Sequence, residues 1–179
     1  MINNLENNTL SSFDSKSYIS SDELKLSEIL KDENNISVWR RNLSSKIINE
    51  SLNLINKKPQ LQFSNVVNPT NIREILSEEI GLTEDSSYLF NDISKIVHMF
   101  CNIFDKEQVW LRLDAIDGPM CPRFHVDSLK CRLVTTYVGP ATQWLPHDLV
   151  NREKLGHGND GLPDEESGLY LNNEDEQES

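Results

Sequence analysis

Basic residues are scarce in this chain: 17 Lys and Arg stand against 29 Asp and Glu, a net charge of −12 over 179 residues. Phosphate backbones and anionic membrane surfaces are bound by clustered Lys and Arg, so this balance argues against both as partners. Long apolar runs are missing too. None approaches the ~20 residues that cross a bilayer. The opening Met1-Ile2-Asn3-Asn4-Leu5-Glu6 lacks the basic start and apolar stretch of an export signal. Cysteine is limited to Cys101, Cys121 and Cys131. An odd number with no export signal makes no disulfide framework, so reduced thiols in a cytoplasmic protein are the expectation. Apolar residues make up only 37%, below the globular average, and the shortfall lies at the two ends. The expected organisation is a disordered lead-in over residues 1–20, one domain over 21–150, and an acidic, loosely ordered tail over 151–179, where nine acids face two bases.

Between those ends the chain is periodic. Ser21-Asp22-Glu23 opens a short helix with Leu24, Leu26, Ile29 and Leu30 as its apolar positions, Ser21 serving as cap. Ile36 to Arg41 alternates and predicts a strand. Leu43 to Asn56 carries a helical stripe of Leu43, Ile47, Ile48, Leu52 and Ile55. Leu61, Phe63 and Val66 predict a strand, after which Thr70 caps a helix closed by Gly81. The strongest stripe runs from Glu84 to Asp105, with Leu89, Ile93, Ile96, Val97, Phe100 and Phe104 at spacings of three and four. His98 lies beside it and reads as a partly buried histidine rather than a ligand. From Glu107 the period falls to two. Val109, Leu111 and Leu113 share one face of a strand; Phe124 to Asp127, Cys131 to Val138 and Thr142 to Leu145 predict three more. Helices first and strands afterwards is the α+β pattern, N-terminal helices on a mostly antiparallel sheet, with an incomplete double-stranded β-helix (jelly-roll-like) barrel as the architecture such strands suit.

One segment concentrates chemistry: Cys121-Pro122-Arg123-Phe124-His125-Val126-Asp127. On an extended strand, His125 and Asp127 point to one face. An imidazole and a carboxylate so placed are two of the three ligands of a non-haem Fe(II) oxygenase site. The same spacing arises by chance, and the plain alternative is that Asp127 pairs with Arg132 or Arg112 while His125 packs. Cys121 and Cys131 extend the cluster, so a Zn(II) site of mixed ligands competes with iron, although no C-x-x-C pair is present and the two thiols read more readily as small buried hydrophobes. Arg112 and Arg132 would flank the site as clamps for a substrate carboxylate, or pair internally with Asp114 or Asp127. His147 and His157 follow in loop-like sequence and read as surface histidines.

Leu111 to Pro146, with Cys121 to Asp127 at its centre, resembles the bacterial family labelled domain of unknown function 1826. The resemblance runs on through Asn151-Arg152, Gly161 to Glu165 and Ser167-Gly168-Leu169, and faintly back to Ile36–Arg41 and Met99–Asp105. It carries no established activity. It implies an association with zinc-responsive genes and metal-chaperone proteins, and it implies a further glycine-containing strand and a closing G-x-V-H-R-S-P motif. Ser179 comes before either, so the chain is expected to be shortened relative to the family, with that motif supplying the third ligand and an arginine. Three readings follow: an oxygenase-like enzyme with a small-molecule substrate, a non-catalytic zinc-handling protein meeting other metal-handling proteins, and a structural or partner-binding protein without metal.

Overall fold

The computed structural model describes residues 16–81 and 87–171. Residues 1–15 of the expected lead-in, the start of the Glu84 helix and residues 172–179 of the expected tail lie outside the described residues.

Among the described residues, two small sheets and three α-helices form an α+β fold. Strand β1 (Lys16–Ser20) pairs in parallel with β2 (Asn34–Trp39). Parallel neighbours need a crossover, here the 3-10 segment Glu23–Leu30, capped by Asp22, whose carboxylate accepts from the Leu24 N–H at 3.0 Å. Asp22 therefore takes the cap position expected of Ser21. The strand at Lys16–Ser20 also differs from the expected lead-in. Its Asn- and Ser-rich composition holds no stripe, but β2 supplies the backbone partners.

Helix α1 (Ser45–Lys57) begins at Ser44, whose Oγ accepts from the Ile47 N–H. Strand β3 (Gln62–Val67) leads to α2 (Ile72–Ile80) through a reciprocal asparagine turn. Asn68 Oδ1 accepts from the Thr70 and Asn71 N–H groups, and Asn71 Oδ1 accepts from the Asn68 N–H. Asn71, not Thr70, sits at the cap. Gly81 closes α2 at φ +67°, a left-handed conformation open to glycine at no steric cost. Helix α3 (Ser87–Phe104) buries Leu89, Phe90, Ile93, Val97 and Cys101; Phe100 and Phe104 lie half-buried at its margin, their rings 4.7 Å apart. Strand β4 (Val109–Asp114) pairs antiparallel with β3, Phe63 opposite Leu113 and Val67 opposite Val109.

The core lies between this β3–β4 ribbon and the helices. Phe63 and Val67 from β3 meet Ile72, Leu76 and Ile80 of α2, Leu54 of α1 and the α3 stripe, with Val109, Leu111 and Leu113 packed against them. The period-two reading of β4 thus selects its core face correctly.

The remaining predicted strands do not form. Phe124–Asp127, Cys131–Val138 and Thr142–Leu145 carry no ladder, and among the described residues the chain makes two two-stranded sheets and no barrel. Alternation selects a face, but a strand exists only when another edge satisfies its backbone. The segment expected to be a loose tail is anchored as far as Leu171. It contains two short 3-10 turns (Arg152–Lys154 and Gly156–Asn159), a bridge between Val150 and Tyr170, and Leu169 only 1% exposed.

Candidate functional site

The chemically dense segment is held in place by side chains. Arg123 donates from its guanidinium to the carbonyls of Gly161 and Leu162. The Phe124 N–H donates to the buried Asp164 carboxylate at 2.9 Å, and the Phe124 ring meets Tyr170 edge-on at 6.3 Å. The 161–170 stretch is thus the seat of the Cys121–Asp127 segment, and it folds because Arg123 and Asp164 satisfy backbone groups that no strand satisfies.

His125 and Asp127 come together although no strand carries them. His125 Nε2 lies 3.5 Å from Asp127 Oδ1. The opposite ring nitrogen, Nδ1, faces the Arg123 carbonyl at 3.0 Å. A carbonyl only accepts, so Nδ1 carries the hydrogen, and in the neutral ring Nε2 keeps its lone pair toward the carboxylate. The second oxygen, Asp127 Oδ2, accepts from Arg132 Nε at 3.1 Å. Both side chains therefore have an outer partner while their free atoms, Nε2 and Oδ1, converge. All three side chains remain partly open to solvent, 32% for Asp127 and 44–48% for the other two.

The arginines fall on the internal-pair alternative. Arg132 is engaged with Asp127, and Arg112 pairs with Asp114 along β4. The Asp114 carboxylate is nearly buried, and the angle of that contact leaves Oδ2 without a hydrogen bond despite its proximity to the guanidinium. Cys121 is exposed and Cys131 half-buried, both as free thiols. Burial pushes the Cys131 thiol up, partly offset by a backbone hydrogen bond from Arg132, which disfavours the thiolate a metal would need. His147 turns Nδ1 toward the Asn35 amide at 3.4 Å, His157 is exposed, and His98, also exposed, faces the Ser94 carbonyl through Nδ1. Among the described residues no three of His, Cys, Asp and Glu are grouped to hold an ion. His125 and Asp127 are a pair.

Two atoms about 2.0–2.1 Å from a tetrahedral ion sit about 3.3 Å apart, whereas a right angle at an octahedral ion brings them to about 2.9 Å. The observed 3.5 Å is closer to the tetrahedral bite. The donor types and their outer partners fit a metal; the number of ligands does not close a site.

A second cluster went unseen in the sequence. Arg41 Nη1 donates to both oxygens of Asp92 on α3 at 2.7 and 2.8 Å, and Nη2 donates to Thr135 Oγ1 at 3.0 Å. The Tyr137 hydroxyl donates to Asp92 Oδ2 at 2.8 Å, and the guanidinium stacks near the Trp39 and Tyr137 rings. This network fastens the second half of the unpaired segment to the helical core. Its only signal was the family likeness, faint over Ile36–Arg41 and clearer over Leu111–Pro146, which holds Thr135 and Tyr137; nothing pointed to Asp92. Burial raises the Tyr137 hydroxyl above its ordinary range, reinforced by the Asp92 charge and hydrogen bond. The fold thus holds the neutral phenol while the unfolded chain ionises normally. Stability is flat below the ordinary tyrosine value of about 10 and falls as pH rises past it, by up to about 1.4 kcal/mol per pH unit from this group. Urea unfolding between pH 9 and 11 should show a shallower decline in Tyr137→Phe than in the parent chain; equal slopes would contradict the assignment.

Comparison with known proteins agrees with the motif. A family model described as "Protein of unknown function (DUF1826)" matches residues 20–178, which include both clusters. No curated protein and no solved structure matches the chain.

Proposed function

The chain belongs to the DUF1826 family, and from that premise we propose that it is a non-catalytic metal-handling protein whose His125–Asp127 pair is an open zinc handle. The observation that carries this is the convergence of Nε2 and Oδ1 at 3.5 Å with each outer atom already held, Nδ1 by the Arg123 carbonyl and Oδ2 by Arg132. Metal-binding histidines and carboxylates have such outer partners, which fix the ring and raise ligand basicity. An ion held by two protein ligands at a partly exposed surface completes its shell with water or with a ligand from outside the described residues, which suits exchange with another metal-handling protein. The reduced thiols of a cytoplasmic protein are compatible with this role.

The test is zinc titration of the full chain against a competing chromophoric chelator. One ion per chain is expected, lost in His125→Ala, and weakened about 10-fold in Arg132→Gln, which leaves both ligands in place but loosens Asp127. Zinc binding indifferent to His125 would end the proposal. Binding of Fe(II) in preference to zinc, with oxygen-dependent turnover of a small molecule, would assign the pair to oxygenase chemistry instead.

A further inference from the structure

The β3–β4 ribbon has only two strands, and its register shows which backbone groups its edges present. The Ala115 N–H donates to the Leu61 carbonyl at 2.9 Å, so Leu61 and Ala115 form a hydrogen-bonded pair. Such pairs alternate with open ones in an antiparallel ladder. Phe63–Leu113, Asn65–Leu111 and Val67–Val109 therefore hold the ribbon together. Trp110, Arg112 and Asp114 turn their N–H and C=O groups to the outer edge of β4, where no partner meets them among the described residues.

Of the two edges, that of β4 borders unfinished packing. The core-facing side chains of β3, Phe63 and Val67, are 4% and 0% exposed, whereas Val109, Leu111 and Leu113 of β4 are only half-buried. The other face of β4 is more open, with Trp110 77% exposed and the Arg112 side chain 56%. Natural edge strands are usually blunted by a bulge, a proline or an uncompensated charge. β4 has no proline and no register shift, and its Arg112 is paired with Asp114 of the same strand.

We propose that β4 is a self-complementary edge through which two copies of this chain pair antiparallel, joining two ribbons into one four-stranded sheet. Pairing about a two-fold axis brings the outward backbone groups together only in alternate registers. One of these centres on Leu111. On the core face it sets Leu111 against Leu111 of the second copy and Val109 against Leu113. On the outer face it sets Arg112 against Trp110, in both directions, and Gln108 beside Asp114. Apolar and cation–π pairs are cross-strand contacts that favour a sheet. The neighbouring registers are penalised. A shift one way puts Arg112 against Arg112, and a further shift puts Val109 against Asp117; a shift the other way faces Leu113 with Glu107. The side-chain pattern of β4 thus selects its own copy, in one register, and that copy covers the half-buried Val109, Leu111 and Leu113.

The net charge of −12 holds two copies apart at long range, so association is measured in salt that screens it. The pairing uses neither His125 nor Asp127, and EDTA is present throughout to exclude a zinc bridge. Sedimentation of the full chain should show a monomer–dimer equilibrium. Residue-resolved amide exchange reports its geometry. Trp110 and Arg112 should slow at least tenfold from dilute to concentrated chain, while Leu111 and Leu113, already bonded to β3, are protected at both. Trp110→Lys sets two cations opposite each other and should weaken the dimer at least tenfold. Trp110→Glu sets opposite charges there and should leave it within threefold of the parent. The change in net charge runs the other way in both, so it cannot mimic this result. Far-UV circular dichroism of the dilute variants should be unchanged at so exposed a position. A chain that stays monomeric, equal effects of the two substitutions, or a dimer in which Trp110 and Arg112 exchange as in the monomer would overturn the proposal.

Discussion

Replacing Arg41 by methionine should remove about 3–5 kcal/mol of stability, because it strands a buried carboxylate. The Arg41 and Asp92 side chains are only 13% and 11% exposed, and the guanidinium meets both carboxylate oxygens. Taking away the cation leaves Asp92 with the Tyr137 hydroxyl alone, and one neutral donor does not compensate a desolvated charge. Urea unfolding monitored by tryptophan fluorescence measures the loss. A second comparison separates charge from packing. Arg41→Met combined with Asp92→Leu removes both charges and should recover part of the deficit, since an apolar replacement of a whole buried pair is often neutral. A loss below about 1 kcal/mol in the single variant would mean that water reaches the pair.

Phe63→Ala should cost a similar amount, about 3–5 kcal/mol. Phe63 is 4% exposed, sits opposite Leu113 in the β3–β4 ribbon, and packs in the core cluster with the α2 and α3 side chains. No neighbouring element can collapse into the space without breaking the ladder. Trp110, on the opposite face of the same ribbon, is the control. It is larger but 77% exposed, with its indole N–H donated to Ser64 Oγ, so Trp110→Ala should change stability by about 0.5 kcal/mol or less. The same denaturation curves decide. Comparable losses at the two positions would mean that the ribbon's faces are wrongly assigned.

The helices were legible because their information is local. A helical residue finds its hydrogen-bond partner four positions away, so the stripe Leu89, Ile93, Val97 sufficed to place α3 and its buried face. β4 was legible for a different reason: Val109, Leu111 and Leu113 alternate, and β3 lies within reach to pair with them. Cys131, Leu133, Thr135 and Tyr137 alternate equally well, yet among the described residues no edge lies beside them, and nothing in a single segment reports that. His125 and Asp127 lie 3.5 Å apart, but no strand carries them. Spacing on a strand was the reason offered, whereas the Arg123 carbonyl and the Arg132 guanidinium orient them. For Arg112 and Arg132 the sequence left clamp and internal pair open, because a charge spacing does not say which carboxylate is nearer. Arg41, Asp92 and Tyr137 lay beyond reach altogether. They are separated by 51 and 45 positions, and no periodicity links residues so far apart.

The β3–β4 ribbon has a consequence for how the chain is made. Its strands are 42 positions apart, from Val67 to Val109, with α2 and α3 between them. At a synthesis rate of about 5–20 residues per second, β4 follows β3 from the ribosome by roughly 2–8 s. Helices form in microseconds, so α2 and α3 can gather while β3 still presents Phe63 and Val67 beside an unsatisfied backbone edge. Such an edge is a template for aggregation. The nascent chain is therefore most vulnerable in that interval, and a pause in translation before β4 would lengthen the exposure of the very side chains that later become the centre of the core.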